Sequence, residues 1–182
     1  MAGVALLAAS DVRAQTTAEL LIERFDSLCV DTLADRAAVR DAADAMGWMP
    51  APEDFFSSAE GINYKEVWIL SSRDAVFFGV VTDMYLTDEV APMKTCSIAV
   101  MPKPQGLAEA LDRYAGGARL PDFNDDERDF AYGFLIVDGK AQPAPAMSDE
   151  ATMAAIESGE MHVALLQDRP DMGMITYMAP GR

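Results

Sequence analysis

Imidazole, thiol and positive charge are all scarce in this chain. Its 182 residues hold one histidine, His162, two cysteines, Cys29 and Cys96, and 14 Lys plus Arg against 30 Asp plus Glu. One histidine with no further thiolate cannot assemble the ligand sets that zinc, haem or copper take, so no metal role is assigned to His162. As a general base it would need an orienting carboxylate and a nucleophile, and the nearest serines in sequence, Ser148 and Ser158, lie in no Gly-x-Ser-x-Gly elbow. No Gly-x-Gly-x-x-Gly occurs, and Gly106, Gly116 and Gly117 do not form a phosphate loop, so no cofactor is expected. A formal charge of −16 repels phosphate backbones and anionic lipid headgroups, which argues against nucleic acid as a partner. No segment approaches eighteen unbroken apolar residues, so no membrane span is expected.

Two features of the sequence point to an oxidising compartment. The apolar run from Ala2 to Ala9, followed by Val12-Arg13-Ala14 before Gln15, has small residues where a signal peptidase needs them. Residues 1–14 are therefore assigned to a signal peptide and 15–182 to a single domain, periplasmic or secreted. A chain of this length supports one substantial core, burying roughly 70% of its unfolded surface.

The best-punctuated stretch runs from Phe25 to Trp48. Asp35 is placed to cap a helix in which Val39, Ala42, Ala43 and Met46 recur at three- and four-residue spacing, and Gly47 can end that helix in the left-handed conformation before Trp48 folds back as a core anchor. Upstream, Thr16 and Glu19 have capping-box spacing, and Leu21, Phe25, Leu28 and Cys29 follow along one helical stripe. From Glu66 the period changes to two. Val67–Leu70 and Val76–Leu86 flank a turn at Ser71–Asp74 and read as a hairpin, and Thr95–Met101 alternates with Cys96, Ile98 and Val100 on one side. Leu107, Ala110, Leu111 and Tyr114 mark another helix. Phe130–Val137, an Asp138-Gly139 turn, a short helix after Ser148, and strands at His162–Gln167 and Met174–Met178 complete the order. Hairpins with few crossovers imply an α+β fold, a largely antiparallel sheet with helices packed on one face. The in-facing phases give an expected core of Leu21, Phe25, Val39, Met46, Trp48, Val67, Ile69, Phe78, Val80, Ile98, Leu111, Leu135 and Val137. They also turn Cys29 and Cys96 inward, and a disulfide between them is expected.

The pattern Phe25-x-x-x-Cys29, an alanine-rich helix and Gly47-Trp48 resembles the start of a group of small exported proteobacterial proteins of unknown function. The resemblance covers roughly 25 positions and implies export and a paired cysteine rather than an activity. Two weaker patterns remain. Asp122, Asn124 and Asp126 match the first half of a calcium loop, but Glu127 stands where that loop needs Gly and Gly133 where it needs a closing Glu, so a solvated turn is expected. Met161, Met172, Met174 and Met178 cluster late, and alternate-residue methionine on strands reads as core packing.

These observations favour a non-catalytic binding or interaction module whose partner is an unknown protein or small molecule. The alternative is a carboxylate-dependent hydrolase, because Asp and Glu are the only abundant titratable groups. Export is tested by intact-mass analysis of protein from cells. Loss of residues 1–14 is expected, and a cytoplasmic product that retains Met1 refutes it.

Overall fold

The computed structural model of the chain describes residues 15–52, 62–84, 93–116, 119–120 and 129–181. The signal-peptide assignment and the Asp122–Asn124–Asp126 pattern fall outside those residues.

Helix α1 (Thr17–Phe25) begins with a complete capping box: Glu19 N–H donates to the Thr16 hydroxyl, and the Glu19 carboxylate accepts from the Thr16 backbone N–H. It then widens into a π-helical turn, Asp26–Val30, closed by Asp31 N–H on Asp26 O at 2.9 Å. The extra residue in that turn changes the facing of the helix, so that Leu28, Cys29 and Val30 are all buried in succession. Leu33 and Ala34 follow with φ of 51° and 56°, a left-handed pair without glycine that costs about 1–2 kcal/mol per residue. Three bonds hold the reversal: Leu33 N–H to Val30 O, Ala34 N–H to Cys29 O, and the Thr32 hydroxyl to Leu28 O.

Asp35 caps α2 (Arg36–Ala45) by accepting from the N–H groups of Ala37 and Ala38. The helix ends in a Schellman motif, with Gly47 N–H on Asp44 O and Trp48 N–H on Ala43 O, and Gly47 at φ 75° takes the left-handed position. That geometry returns Trp48 under the helix, where it is 3% exposed.

Among the described residues the strands form one eight-stranded antiparallel sheet, in the order β1-β2-β3-β4-β8-β7-β5-β6. They are β1 (Met49–Pro50), β2 (Ile62–Ser71), β3 (Val76–Met84), β4 (Met93–Met101), β5 (Asp129–Val137), β6 (Lys140–Pro143), β7 (Met161–Asp168) and β8 (Gly173–Pro180). Helix α3 (Leu107–Tyr114) follows β4, and α4 (Asp149–Ser158), capped by Ser148, precedes β7. The α+β class is therefore the fold of the chain. Helices α1, α2 and α3 lie with the π-helical turn on one face of the sheet, as expected, and enclose the main core. Helix α4 lies on the opposite face over β5 and β7, where Ala155 packs with Ala144 and Met161.

The core positions expected on the helical segments are buried: Leu21, Phe25, Val39, Trp48 and Leu111, with Ile98 in β4, and Met46 half-buried at the margin. The hairpin β2–β3 has the opposite phase to the one expected. Trp68, Phe77, Gly79 and Val81 face the helices, whereas Val67, Ile69, Phe78 and Val80 are half-buried on the other face. Both faces of this hairpin are apolar, so periodicity alone does not choose between them. Gly79 does. A Cβ built there would lie 2.9 Å from Leu28 Cδ2 and 3.3 Å from Trp48 Cζ3, so the missing side chain makes the recess into which the helical layer sits. Leu135 is half-buried toward α4, and Val137 is 43% exposed where β5 runs into the Asp138-Gly139 turn.

Cys29 in the π-helical turn and Cys96 in β4 have their sulfur atoms 2.01 Å apart and their Cα atoms 5.3 Å apart, within disulfide range. Ion pairs Arg36–Asp83 and Arg40–Glu66 join α2 to the β2–β3 hairpin. Substituting Gly79→Val drives branched methyls into Leu28 and Trp48 and should destabilise the fold by about 1–3 kcal/mol. Urea unfolding measures it, and an unchanged midpoint would remove Gly79 from its assigned role.

Candidate functional site

Polar side chains gather where α1 and the π-helical turn meet α3 over the β5–β7–β8 part of the sheet. The frame is aromatic. Phe25 meets Tyr114 and Tyr177 edge-on at 6.3 Å, Phe134 lies 5.9 Å from Tyr114 and 6.1 Å from Tyr177, and His162 stands edge-on to Tyr177 at 5.4 Å. Two hydroxyls emerge from this frame in different directions. The Tyr114 hydroxyl donates to Asp26 Oδ1, and the Tyr177 hydroxyl shares a 2.8 Å hydrogen bond with His162 Nδ1.

Asp26 opens the π-helical turn and Asp31 follows it. Ordinary α-helical spacing would not set two carboxylates five residues apart close together, but the wide turn does. The Asp31 pKa is raised, first by burial and then by Asp26, with Lys140 at the start of β6 pulling it back. Tyr114 is pushed well above the usual phenol range by burial and by its bond to Asp26, so it remains a hydrogen-bond donor. Two carboxylates, one phenol and one ammonium group thus share a neighbourhood. Asp31 is exposed to solvent, whereas Asp26 and Tyr114 are half-buried.

His162 belongs to a different environment. It stands near the start of its strand, as the sequence reading places it, but β7 lies between β5 and β8, and the residue is 8% exposed. Its hydrogen-bond partner is a tyrosine and not a carboxylate, so it has no orienting anion. Ser148 and Ser158 serve α4: Ser148 Oγ accepts from Ala151 N–H and Ser158 Oγ donates to Ala155 O. Among the described residues no group of three or more His, Cys, Asp or Glu side chains converges as a metal site.

A second network ties α3 to β5. Arg119 donates to both Asp112 carboxylate oxygens, at 2.8 and 2.6 Å, Tyr132 donates to Asp112 at 2.8 Å, and the guanidinium lies 4.0 Å over the Phe130 ring. The Arg119 bonds hold the Asp112 carboxyl below its usual range. At the corner before α3, a groove of about 440 Å³ is lined by Lys103, Pro104, Gln105, Gly106, Leu107 and Pro170 among others. The late methionines divide: Met161 is 1% exposed in the α4 cluster, and Met172, Met174 and Met178 are half-buried.

Comparison with protein-family models, with curated proteins and with solved structures returns no match.

The His162 environment makes stability depend on pH. Unfolded, the imidazole takes a proton near pH 6.5; in the fold, burial pushes its pKa down to about 4. Between those values the unfolded chain binds the extra proton, so stability falls as pH drops from 6.5 to about 4, by up to about 1.4 kcal/mol per pH unit from this group. The difference in urea midpoint between wild type and His162→Leu should therefore change across that window and be flat above it. Parallel losses in the two proteins would assign the acid sensitivity to other groups.

Proposed function

We propose that the chain is an extracytoplasmic domain that binds a protein partner through the part of its second sheet face that no described helix covers, and that it performs no chemistry of its own. The observation that carries this reading is the makeup of that face across β2, β3, β4 and β8. Val67 pairs with Val80, Val80 with Ser97, and Ser97 with Thr176, and the neighbouring row continues through Ile69, Ala99 and Met174. These side chains are apolar or hydroxyl-bearing, most are half-buried, and Ser97 and Thr176 share a 2.9 Å hydrogen bond. A broad, largely apolar and hydroxyl-bearing sheet surface, with Lys65 of β2 at its margin, suits a protein partner better than a small molecule, which needs a concave site with convergent polar groups. The net charge of −16 would steer toward this face a partner whose own contact patch is apolar and rimmed by basic groups. The proximity of Cys29 and Cys96 and the N-terminal sequence pattern support the extracytoplasmic location. Among the described residues no helix is long and apolar enough to cross a membrane.

The Asp26–Asp31 pair supports the hydrolase as a second reading, because two neighbouring carboxyls, with the pKa of Asp31 raised, are groups that acid–base chemistry uses. Substitution separates the two. Val80→Asp and Val67→Ser, each checked for folding by near-ultraviolet circular dichroism, should abolish co-purification of a partner from the native compartment, while Asp26→Asn and Asp31→Asn leave it intact. Equal recovery with all four variants overturns the binding reading, and a hydrolytic activity lost only in the two Asp→Asn variants favours the enzyme.

A further inference from the structure

The two sulfur atoms of Cys29 and Cys96 sit at one of the most enclosed points of the molecule. Both residues are 0% exposed. Cys96 lies in β4, flanked in the sheet by Val81 of β3 and Tyr177 of β8, which are themselves fully buried. Above it the π-helical turn closes the site with Phe25, Leu28, Val30 and Ala34, each at most 3% exposed, and the Cys96 sulfur lies 3.7 Å from Leu28 O.

Thiol–disulfide exchange needs a thiolate to approach one sulfur in line with the S–S bond. Neither sulfur offers surface for that approach while the helical layer is seated. The same barrier acts in the forward direction, since a disulfide donor must reach a cysteine sulfur to begin oxidation. We infer that the Cys29–Cys96 bond is closed on the unfolded chain by a disulfide-donating partner and then sealed by the seating of α1 and the π-helical turn on β4, so that it reopens only when that layer lifts. One cysteine thiolate attacks the donor disulfide and expels a donor thiolate, leaving a mixed disulfide. The second cysteine thiolate then attacks the protein-side sulfur and expels the other donor thiolate. The two cysteine protons go to solvent or to the leaving thiolates, and the donor leaves as its dithiol form. This places the chain downstream of a dithiol-oxidising reaction, and the inference stands independently of the binding reading above.

The test uses the full chain purified from an oxidising compartment. Alkylation in concentrated guanidinium without reductant, read by intact mass, should add nothing. Native protein in excess dithiothreitol should then be reduced at least about 100-fold more slowly than the guanidinium-treated protein, and sub-denaturing urea should raise the logarithm of that rate in proportion to its concentration, as for an opening reaction. Reduction of the native protein within a few-fold of the denatured rate, or a rate indifferent to urea, overturns the seal. Alkylation of both cysteines in the denatured, unreduced chain overturns the bond itself.

Discussion

The contact on which the rest of the structure depends is the seating of the α1–π-helical segment on the middle of the sheet. That segment touches the sheet through Leu28, which fits the recess left by Gly79, and through Cys29, which meets Cys96. The cross-link alone is worth up to roughly 4 kcal/mol on the chain-entropy view, because it closes a loop of 67 residues. That contribution is of the size needed to hold a wide helical turn and two left-handed residues, Leu33 and Ala34, that local preference disfavours. The backbone bonds in the reversal and the full burial of Ala34 then leave that segment little freedom to relax into a regular helix.

Charge is distributed so that this seating is supported at the edges and left apolar in the middle. Helix α2 is joined to the sheet by Arg36–Asp83 and Arg40–Glu66, and α3 is joined to β5 by the Tyr132 hydroxyl on Asp112, which Arg119 also grips. The ion pairs are partly solvated and individually worth little, but the two from α2 join elements 26 and 47 residues apart in sequence, so they fix register rather than supply bulk stability. With cations outnumbered by more than two to one, much of the basic charge is drawn into such contacts, and the rest of the surface remains acidic. A partner would therefore meet a protein whose long-range field is negative and whose proposed contact face is largely uncharged.

What the sequence made legible was local. The Thr16 capping box, the Asp35 cap, the Gly47 stop and the strand at Cys96 rest on short-range chemistry that one residue and its near neighbours decide, and each stands where it was expected. The phase of β2–β3 was not legible, because Val67, Phe78 and Val80 are as apolar as Trp68, Phe77 and Val81. The deciding residue, Gly79, acts through Trp48 and Leu28, which are thirty and more positions away. The burial of His162 was hidden for a related reason. Its strand is internal because β5 and β8 pair along its two sides, a strand order that no local pattern encodes. The Asp26–Asp31 pair escaped notice because helical reasoning looks for partners three and four residues apart, and a π-helical turn was required to bring residues five apart together.

That turn links the stability of the molecule to its surface chemistry. The geometry that directs Cys29 down to β4 also turns Asp26 toward Tyr114 and leaves Asp31 at the surface beside it, so the buried cross-link and the carboxylate pair are two consequences of one inserted residue. If the turn relaxed to an α-helix, residues beyond it would rotate about the axis by roughly 100°. Cys29 would then point away from Cys96, and the two carboxylates would separate. The carboxylate pair is therefore as fixed as the core beneath it. It cannot rearrange to close over a ligand without lifting the layer that encloses the two sulfurs, whereas the second sheet face lies on the far side of the β-sheet and is free of that restraint. This mechanical separation favours placing recognition on the sheet face and leaving the π-helical turn a structural role.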